Sequence, residues 1–540
     1  MGLRTLTALL LAVALITLSC ADQQPIQQDD TTLTTISIDE LRDKIAGGWA
    51  GKMIGVAWGA PTEFRARGVT YEKDLPWEPS DVENSLRQDD LYVQMSFMMT
   101  MDKYGIDAPA EKLAESFATA GYPLWHANVQ ARKNFFDGIM PPASGSPEYN
   151  LHADDIDFQI EADYIGFMCP GLPQTANRIA GKVGHIMNYG DGVYGGYLVA
   201  ALYSLAFFET DIPTIVDRAL DAIPAESDYA QCIRDVIKLH AHYPDDWRAA
   251  WRELEDKWGE VDICGAMDTF NIDAKLNGAY IVLGLLYGGG DFEKTMEVSI
   301  RCGQDSDCNP SNAAAVIGVM KGMSGISDRW KSGIAPVADS VFIFTDYTFN
   351  SVVDNTLKYA VQLITENGGS VTETEAHIRE QSPAPPTLEI AFPDVVPSYK
   401  SSVFDDDGWS WKGTWPVRSV KNNNQARYAE TAGDEATFTF TGTGVVIRGN
   451  WMRDGGTADV YIDGTLHRTI DTYFLWAKQE KSNAFLWHIL NLDPGEHTAR
   501  IVVRGEKQEK SDGTRLYISG ATVFETGKKK NENFTFSFER

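Results

Sequence analysis

Cys302-Gly303-Gln304-Asp305-Ser306-Asp307-Cys308 sets two carboxylates one residue apart at a glycine-led turn, and an apolar, alanine-rich run from Ala313 to Met320 follows it. The run reads as a buried helix, so both aspartates stand on a tight loop close to a helix start. Oxygen ligands offered by such a loop suit a hard cation and leave coordination positions for water and substrate. Taken alone, an aspartate-x-aspartate pair is more often a solvated loop or an N-cap. Its meaning rests on what the rest of the chain supplies.

Working outward, Arg87-Gln88-Asp89-Asp90-Leu91 precedes a Met-rich helical pattern from Tyr92 to Met99. Adjacent acids at a helix start also favour the positive end of the helix dipole, which is their ordinary use. Further upstream, Gly55-Val56-Ala57-Trp58-Gly59-Ala60-Pro61-Thr62-Glu63-Phe64 ends a helix in glycines and carries Glu63 on a loop. Between these segments and the terminal turn, Asn188-Tyr189-Gly190-Asp191-Gly192 makes another glycine-rich turn before an apolar helix.

In this order the segments resemble the ADP-ribosylglycohydrolase family, whose marks are G-D-x-x-G-x-x-x-E, T-D-D-T, a central S-x-G-N-G turn and G-G-D-T-D-T-x-A. The likeness covers residues 35–365. It implies a compact all-helical domain that holds two Mg²⁺ ions, with Mn²⁺ or Ca²⁺ as substitutes, and cleaves the bond between ADP-ribose and a protein side chain or acetyl group. Carried over residue by residue, it makes Asp89, Asp90, Asp305 and Asp307 metal ligands, with Gln88 offering an amide oxygen. Glu63 falls beside the metals, and Glu63, Asp90 and Asp305 are the catalytic candidates. Asn188, Gly190 and Asp191 become candidate substrate contacts. The family's flanking threonines are replaced by Gln88, Leu91 and Cys308, and Val56 stands where the family has an aspartate. The expectation is a competent metal centre with altered ligands and a substrate that is not inherited from the family.

An acidic run, Asp154 to Tyr164, precedes Gly166 and Pro170. Asp157, Glu161 and Tyr164 would share one face of a helix. A solvated face is the default for such a run, but the following Gly/Pro loop suits a cleft mouth, so Asp157 and Glu161 are further candidate substrate contacts.

Met1 to Arg4 is a positive start, Leu6 to Leu18 is an apolar run too short to span a bilayer comfortably, and Leu18-Ser19-Cys20 reads as a bacterial lipoprotein cleavage site. The expected layout is a lipoprotein signal peptide at 1–20 and a tether at 21–34, giving an exported protein held at the cell envelope by a lipid anchor. A plain secretory signal with an incidental cysteine is the alternative. No later segment is long and apolar enough to cross a membrane. A formal charge of −29 argues against nucleic acid as a partner. The remaining cysteines, Cys169, Cys232, Cys264, Cys302 and Cys308, are odd in number and lack C-x-x-C spacing, so neither zinc nor a disulfide framework is indicated.

The hydrophobic period changes once. Helical spacing begins at Ser37, a plausible capping box with Glu40, and continues through Leu41, Ile45 and Trp49. Glu366 to Gly369 and Ser382 to Pro386 then read as part of a linker spanning 366–400. From 401 to 527 the apolar residues alternate, as in Ala436-Thr437-Phe438-Thr439-Phe440 and Ala458-Asp459-Val460-Tyr461-Ile462, which predicts a β-sandwich. A tail occupies 528–540. Asp405 to Ser410, Val460 to Gly464 and Leu492 to His497 resemble the galactose-binding-like jelly rolls appended to bacterial glycan-active enzymes. Trp451, Tyr473 and Trp476 are candidates to stack on sugar faces, whereas Trp487 belongs to the core.

The fold class expected is multidomain, an all-α ADP-ribosylglycohydrolase-like domain followed by an all-β jelly-roll sandwich. The function expected is metal-dependent hydrolysis of a glycosidic bond to a ribose-like furanoside in an exported glycan. Hydrolysis of ADP-ribosylated substrates, and sugar binding without turnover, are the alternatives.

Overall fold

The structure, a computed structural model, describes residues 33–536 except 261, 406 and 420–424. The expected signal peptide and Cys20 lie outside the described residues, as does the end of the C-terminal tail. The chain folds as anticipated into a helical unit followed by antiparallel sheets. No helix among the described residues is long and apolar enough to cross a membrane.

The helical unit is organised by Ile38–Gly59, which starts where Ser37 Oγ accepts the Glu40 amide at 3.1 Å. Along this helix Gly47, Gly51, Gly55 and Gly59 recur every fourth residue and therefore line one face. A methyl group added at these positions would lie 2.1, 2.4, 2.5 and 2.2 Å from the carbonyl oxygens of Gly318, Ala314, Pro310 and Ser306, respectively. The first helix thus lies directly on the backbone of Cys308–Gly325, running antiparallel to it. The contact works only because the facing surface has no side chains. It brings the Asp305–Asp307 turn to the C-terminal end of the first helix, beside Glu63.

Asp191–Ala206 and Ala274–Gly288 are apolar on every face and almost wholly buried. Helices hydrophobic all round belong in the middle of a core, and these two sit there.

The edges of the helical unit differ from those expected. Leu33 and Thr34, assigned to a tether, begin a strand (Leu33–Ser37) that pairs with Glu375–Arg379, and this in turn pairs with Ser370–Val371. The first part of the expected linker therefore belongs to a three-stranded sheet on the helical unit. Such short strands carry too few alternating residues to stand out from a loop. The rest of the linker is also fastened: His185 Nε2 lies 3.0 Å from Glu389 Oε2, and the Glu389 amide donates to Tyr194 Oη.

The C-terminal unit is a sandwich of two antiparallel sheets. One runs Thr465–Asp471, Thr457–Ile462, Gly495–Val503, Glu435–Gly442, Trp409–Lys412. The other runs Lys481–Ile489, Gly444–Trp451, Leu516–Thr526, Gln425–Ala429, Val417–Ser419, and Val395–Ser402 also pairs with Leu516–Thr526. That last strand starts inside the expected linker, again ahead of the predicted boundary.

The sandwich packs on the helical unit through residues that alternation alone would have left free. Trp476 Nε1 donates to Ala120 O at 2.6 Å, and its ring lies 4.8 Å from that of Phe136. His488 Nε2 is 2.7 Å from Pro147 O, and the Arg468 guanidinium stands 4.3 Å over the Tyr149 ring. Trp476 is thereby part of the interface between the sandwich and the helical unit. Trp451 and Trp487 are buried, and Trp487 Nε1 donates to His467 Nδ1 at 2.9 Å. All five described cysteines are free thiols.

Candidate metal centre

Four of the anticipated ligands converge with Glu63 on one spot. Asp89 and Asp90 open the helix Asp89–Tyr104, where Gln88 is the N-cap residue but makes no side-chain capping bond. Asp307 caps Cys308–Gly325 by accepting the Cys308 amide at 3.0 Å. The donor atoms of Asp305, Asp307 and Cys308 all lie within 4.8 Å of one another. The turn is set by Gly303 (φ +84°), where an added methyl would lie 2.6 Å from Ala66 O, and by Gln304 (φ +54°). Gln304 also fixes the 269–271 loop, accepting the Asn271 amide at 3.0 Å and donating to Thr269 O at 2.9 Å.

The loop that carries Asp305 and Asp307 does not leave them exposed. Both are instead buried, at 4% and 3% exposure, because the glycine seam draws the turn into the helical core. Burial without enough positive charge raises their proton affinity. Asp305 is pushed up to about 7, first by loss of hydration and then by Glu63 and Asp90. Asp307 and Asp89 are raised for the same reasons, burial first and neighbouring carboxylates second. Glu63 rises to about 8 through lost hydration, Asp307 and Asp90, yet its side chain keeps contact with solvent.

Sequence reading missed Lys52. This fully buried lysine ion-pairs with Asp90 Oδ1 at 2.9 Å and Asp163 Oδ2 at 3.0 Å, and donates to Ile160 O at 2.9 Å. Burial alone would lower its pKa, but Asp163 and Asp90 reverse the sign and keep it charged. Asp163 is held further by Tyr203 Oη at 2.6 Å and Asn312 Nδ2 at 3.0 Å. A lone lysine in the apolar run from Ala46 to Trp58 was the available signal. Cys308, in place of a family threonine, turns its thiol toward Asp90 Oδ2 at 3.0 Å. Leu91 is fully buried and serves the core.

The other expected contacts divide. Glu161 is buried near the cluster: Asn128 Nδ2 donates to Oε1, while Oε2 is buried with no hydrogen-bond partner. Asp157 is a cap, accepting the Ala127 and Asn128 amides at 3.1 Å each, so its oxygens are spent on the helix His126–Phe136. Ala162 breaks the expected single helix into Asp157–Glu161 and Asp163–Phe167. Asn188 is not a free substrate contact either. Its Oδ1 accepts the Phe158 amide at 3.0 Å, and Nδ2 donates to Ala153 O at 3.0 Å and Asp155 O at 2.8 Å. Gly190 (φ +56°) shapes the turn before Asp191–Ala206 and faces the linker backbone at Glu389 and Ala391. Asp191 accepts the Tyr229 amide at 3.2 Å and lies 3.9 Å from Lys275 Nζ, within a separate network that includes Asp154 and Asp273. A glycine-rich turn at a helix start looks the same in sequence whether it binds substrate or holds the backbone.

The donor set fits a hard divalent cation. Glu63, Asp89, Asp90, Asp305 and Asp307 are all oxygen donors, Lys52 is already shared with Asp163, and Asp305 Oδ1 is buried without a hydrogen-bond partner. A buried polar atom left so is costly unless something else satisfies it.

The raised carboxylates have a consequence for stability. A carboxylate whose folded pKa exceeds its unfolded value binds more protons when folded, so stability falls as pH rises between the two values. For Asp305 that window runs from the ordinary carboxylate range up to about 7. The metal-stripped protein is expected to be less stable at pH 8 than at pH 5, by on the order of a few kcal/mol, and so to melt at a lower temperature. Mg²⁺ should restore the loss at pH 8. Calorimetry with chelator and with Mg²⁺ checks this, and an unchanged melting temperature across the window would refute it.

The model of the family described as ADP-ribosylglycohydrolase matches residues 37–359. The A type blood alpha-D-galactosamine galactosaminidase of Flavonifractor plautii is 31% identical over 124 residues, which are 22% of this chain and only 11% of that protein. Among solved structures, one described as an ADP-ribosylglycohydrolase-related protein complex has 14% identity and a TM-score of 0.42, covering 60% of this chain and 98% of that one. A carbohydrate-binding module, CBM36, in complex with calcium and xylotriose has 11% identity and a TM-score of 0.17, covering 24% of this chain and 99% of that one. The family match takes in more than half of the chain and both aspartate motifs of the site, so the chain belongs to the ADP-ribosylglycohydrolase family.

Proposed function

We propose that this protein is a metal-dependent glycosidase that hydrolyses a glycosidic bond to a ribose-like furanoside in a glycan. The observation that carries the reading is the mutual electrostatic interaction of Glu63, Asp89, Asp90, Asp305 and Asp307, with a buried Asp305 oxygen that no hydrogen bond satisfies. Asp89, Asp90, Asp305 and Asp307 would hold the metal, with the Gln88 amide at the rim. A bound divalent cation neutralises these carboxylates and polarises sugar hydroxyls and water.

The residues themselves have distinct parts. Asp90 is fixed from both sides, by Lys52 and by the Cys308 thiol, and so positions rather than carries protons. Glu63 is the most solvent-exposed member of the cluster, and it is assigned the proton of the attacking water. This arrangement differs from the usual pair of metal-free glycosidase carboxylates.

A glycan is favoured over an ADP-ribosylated protein because the sandwich adjoins the helical unit and the N-terminus reads as an export signal. The curated relative is named as a galactosaminidase, which points the same way, although this chain spans little of it. The proposal includes export and lipid attachment at Cys20, read from fatty-acid labelling of the wild type and Cys20→Ser. The deciding assay compares furanosyl glycosides with ADP-ribosyl substrates, with Mg²⁺ and with chelator. Turnover of furanosides that chelator abolishes is expected. Release of ADP-ribose alone would move the substrate to the alternative, and metal-independent turnover would overturn the mechanism.

A further inference from the structure

The helical unit and the sandwich enclose a cavity of about 350 Å³, walled in part by His126, His152, Cys264, Phe485 and Lys481. It is separate from the carboxylate centre, though joined to it by a shared wall. Phe270, which lines the cavity, packs 5.0 Å from Phe64, the neighbour of Glu63.

Two metal-ligating side chains, His126 and His152, stand in the cavity wall, and a third, Asp155, is buried directly behind them. His152 Nδ1 lies 2.6 Å from Asp155 Oδ2, and His126 Nδ1 lies 3.9 Å from the same oxygen. Ligand atoms of all three fall within 4.8 Å of one another. The Cys264 thiol points at that oxygen too, at 3.4 Å.

A plain histidine–aspartate hydrogen bond accounts for one oxygen of Asp155 and leaves two observations over. Asp155 is fully buried, and its Oδ1 has no hydrogen-bond partner. His126 adopts φ +40°, a conformation that histidine enters only at a cost, and strain of this kind persists where surrounding structure enforces it. Here the enforcement is visible. Asp157 pins the two following amides, and the His126 ring rests 5.6 Å from each of His152 and Phe270. From the sandwich, Phe485 covers His152 at 5.0 Å. The effect is to hold the imidazoles at the cavity wall beside the buried carboxylate.

Mg²⁺ selects oxygen donors, whereas two imidazole nitrogens with one carboxylate suit zinc and its neighbours. Three protein ligands, the two histidines of which stand at the cavity wall, match the zinc arrangement that keeps a position open. We propose that His126, His152 and Asp155 form a second metal site, taking a transition-metal ion of the zinc class with an open coordination position toward the inter-domain cavity.

The test is Co²⁺ titration of metal-stripped, full-length protein in excess Mg²⁺, read by visible ligand-field absorption. The bands should grow to saturation at one equivalent. His152→Ala and His126→Asn should each weaken Co²⁺ binding at least about tenfold. Asn tolerates the left-handed backbone at position 126, so that variant keeps the fold if His152→Ala does not. Asp305→Asn, in the carboxylate centre, should leave the bands unchanged. Absence of bands, bands that survive both histidine variants, or bands lost in Asp305→Asn would each overturn the proposal. Glycoside turnover enters none of these outcomes, so the site stands or falls apart from the proposed function.

Discussion

Asp307→Ala is expected to reduce glycoside turnover by at least about a hundredfold, and Asp305→Ala to do the same, with the metal-free proteins folded and more stable than wild type. Outer-shell partners of metal ligands already cost up to about that factor, and a direct ligand should cost no less. The stability gain follows from electrostatics. Asp305 and Asp307 are buried carboxylates in mutual contact: Asp305 raises the proton affinity of Asp307, and Asp307 raises that of Glu63 and Asp89. Removing one relieves like-charge repulsion in a poorly hydrated site, which opposes the loss of the Asp307 cap at Cys308. A cap is worth about 1 kcal/mol. Relief of buried repulsion is worth more, since one pKa unit corresponds to about 1.4 kcal/mol. Asp305, which caps nothing, should show the larger gain. The measurement pairs turnover with melting temperatures in chelator and in Mg²⁺. Binding to the native state alone raises stability, so wild type should gain on adding metal and the variants should not. Variants that keep turnover within a few-fold, or that still gain from Mg²⁺, would refute the assignment.

Much of this site was legible because its chemistry is local. Asp89–Asp90 and Asp305–Asp307 sit at helix starts, where composition and spacing mark them, and the order of segments ties them together. The parts that sequence could not show depend on what lies across the fold. Asn188 and Asp157 read as substrate contacts, yet their amide and carboxylate groups are consumed by backbone partners on other segments. Lys52 and Asp163 meet only because two helices cross. The same holds for His126, His152 and Asp155: no spacing motif announces them, and an expectation of no zinc drawn from cysteine spacing could not see histidines gathered by a strained helix start. In the sandwich, alternation revealed the strands but not that Trp476 would face Ala120 instead of solvent.

Gly51→Val is expected to lower the melting temperature of the protein by roughly 5–10 °C and to impair turnover beyond what the remaining folded fraction explains. Two effects compete. Replacing a mid-helix glycine gains up to about 1 kcal/mol in helix propensity, less for a β-branched residue. Against it, even the first added carbon would lie 2.4 Å from Ala314 O, 2.7 Å from Ala314 C and 2.8 Å from Ala315 Cα. These are backbone atoms, so no side chain can rotate away, and the helices Ile38–Gly59 and Cys308–Gly325 must part. Overpacking costs about 1–3 kcal/mol when neighbours can adjust and more when they cannot, so the clash wins. An unfolding entropy of about 2 cal/mol/K per residue makes each kcal/mol worth only about 1–2 °C in a unit of this size, so a backbone clash of several kcal/mol gives the expected shift. The seam also carries the site. Gly59 touches the backbone of Ser306 and Asp307, and Lys52 reaches Asp90 from the same helix, so separation at Gly51 displaces ligands at both ends. Gly121→Ala is the control, because nothing lies within 4 Å of its added carbon, and it should melt as wild type does. If Gly51→Val melted like Gly121→Ala, the glycine seam would not be what sets the turn.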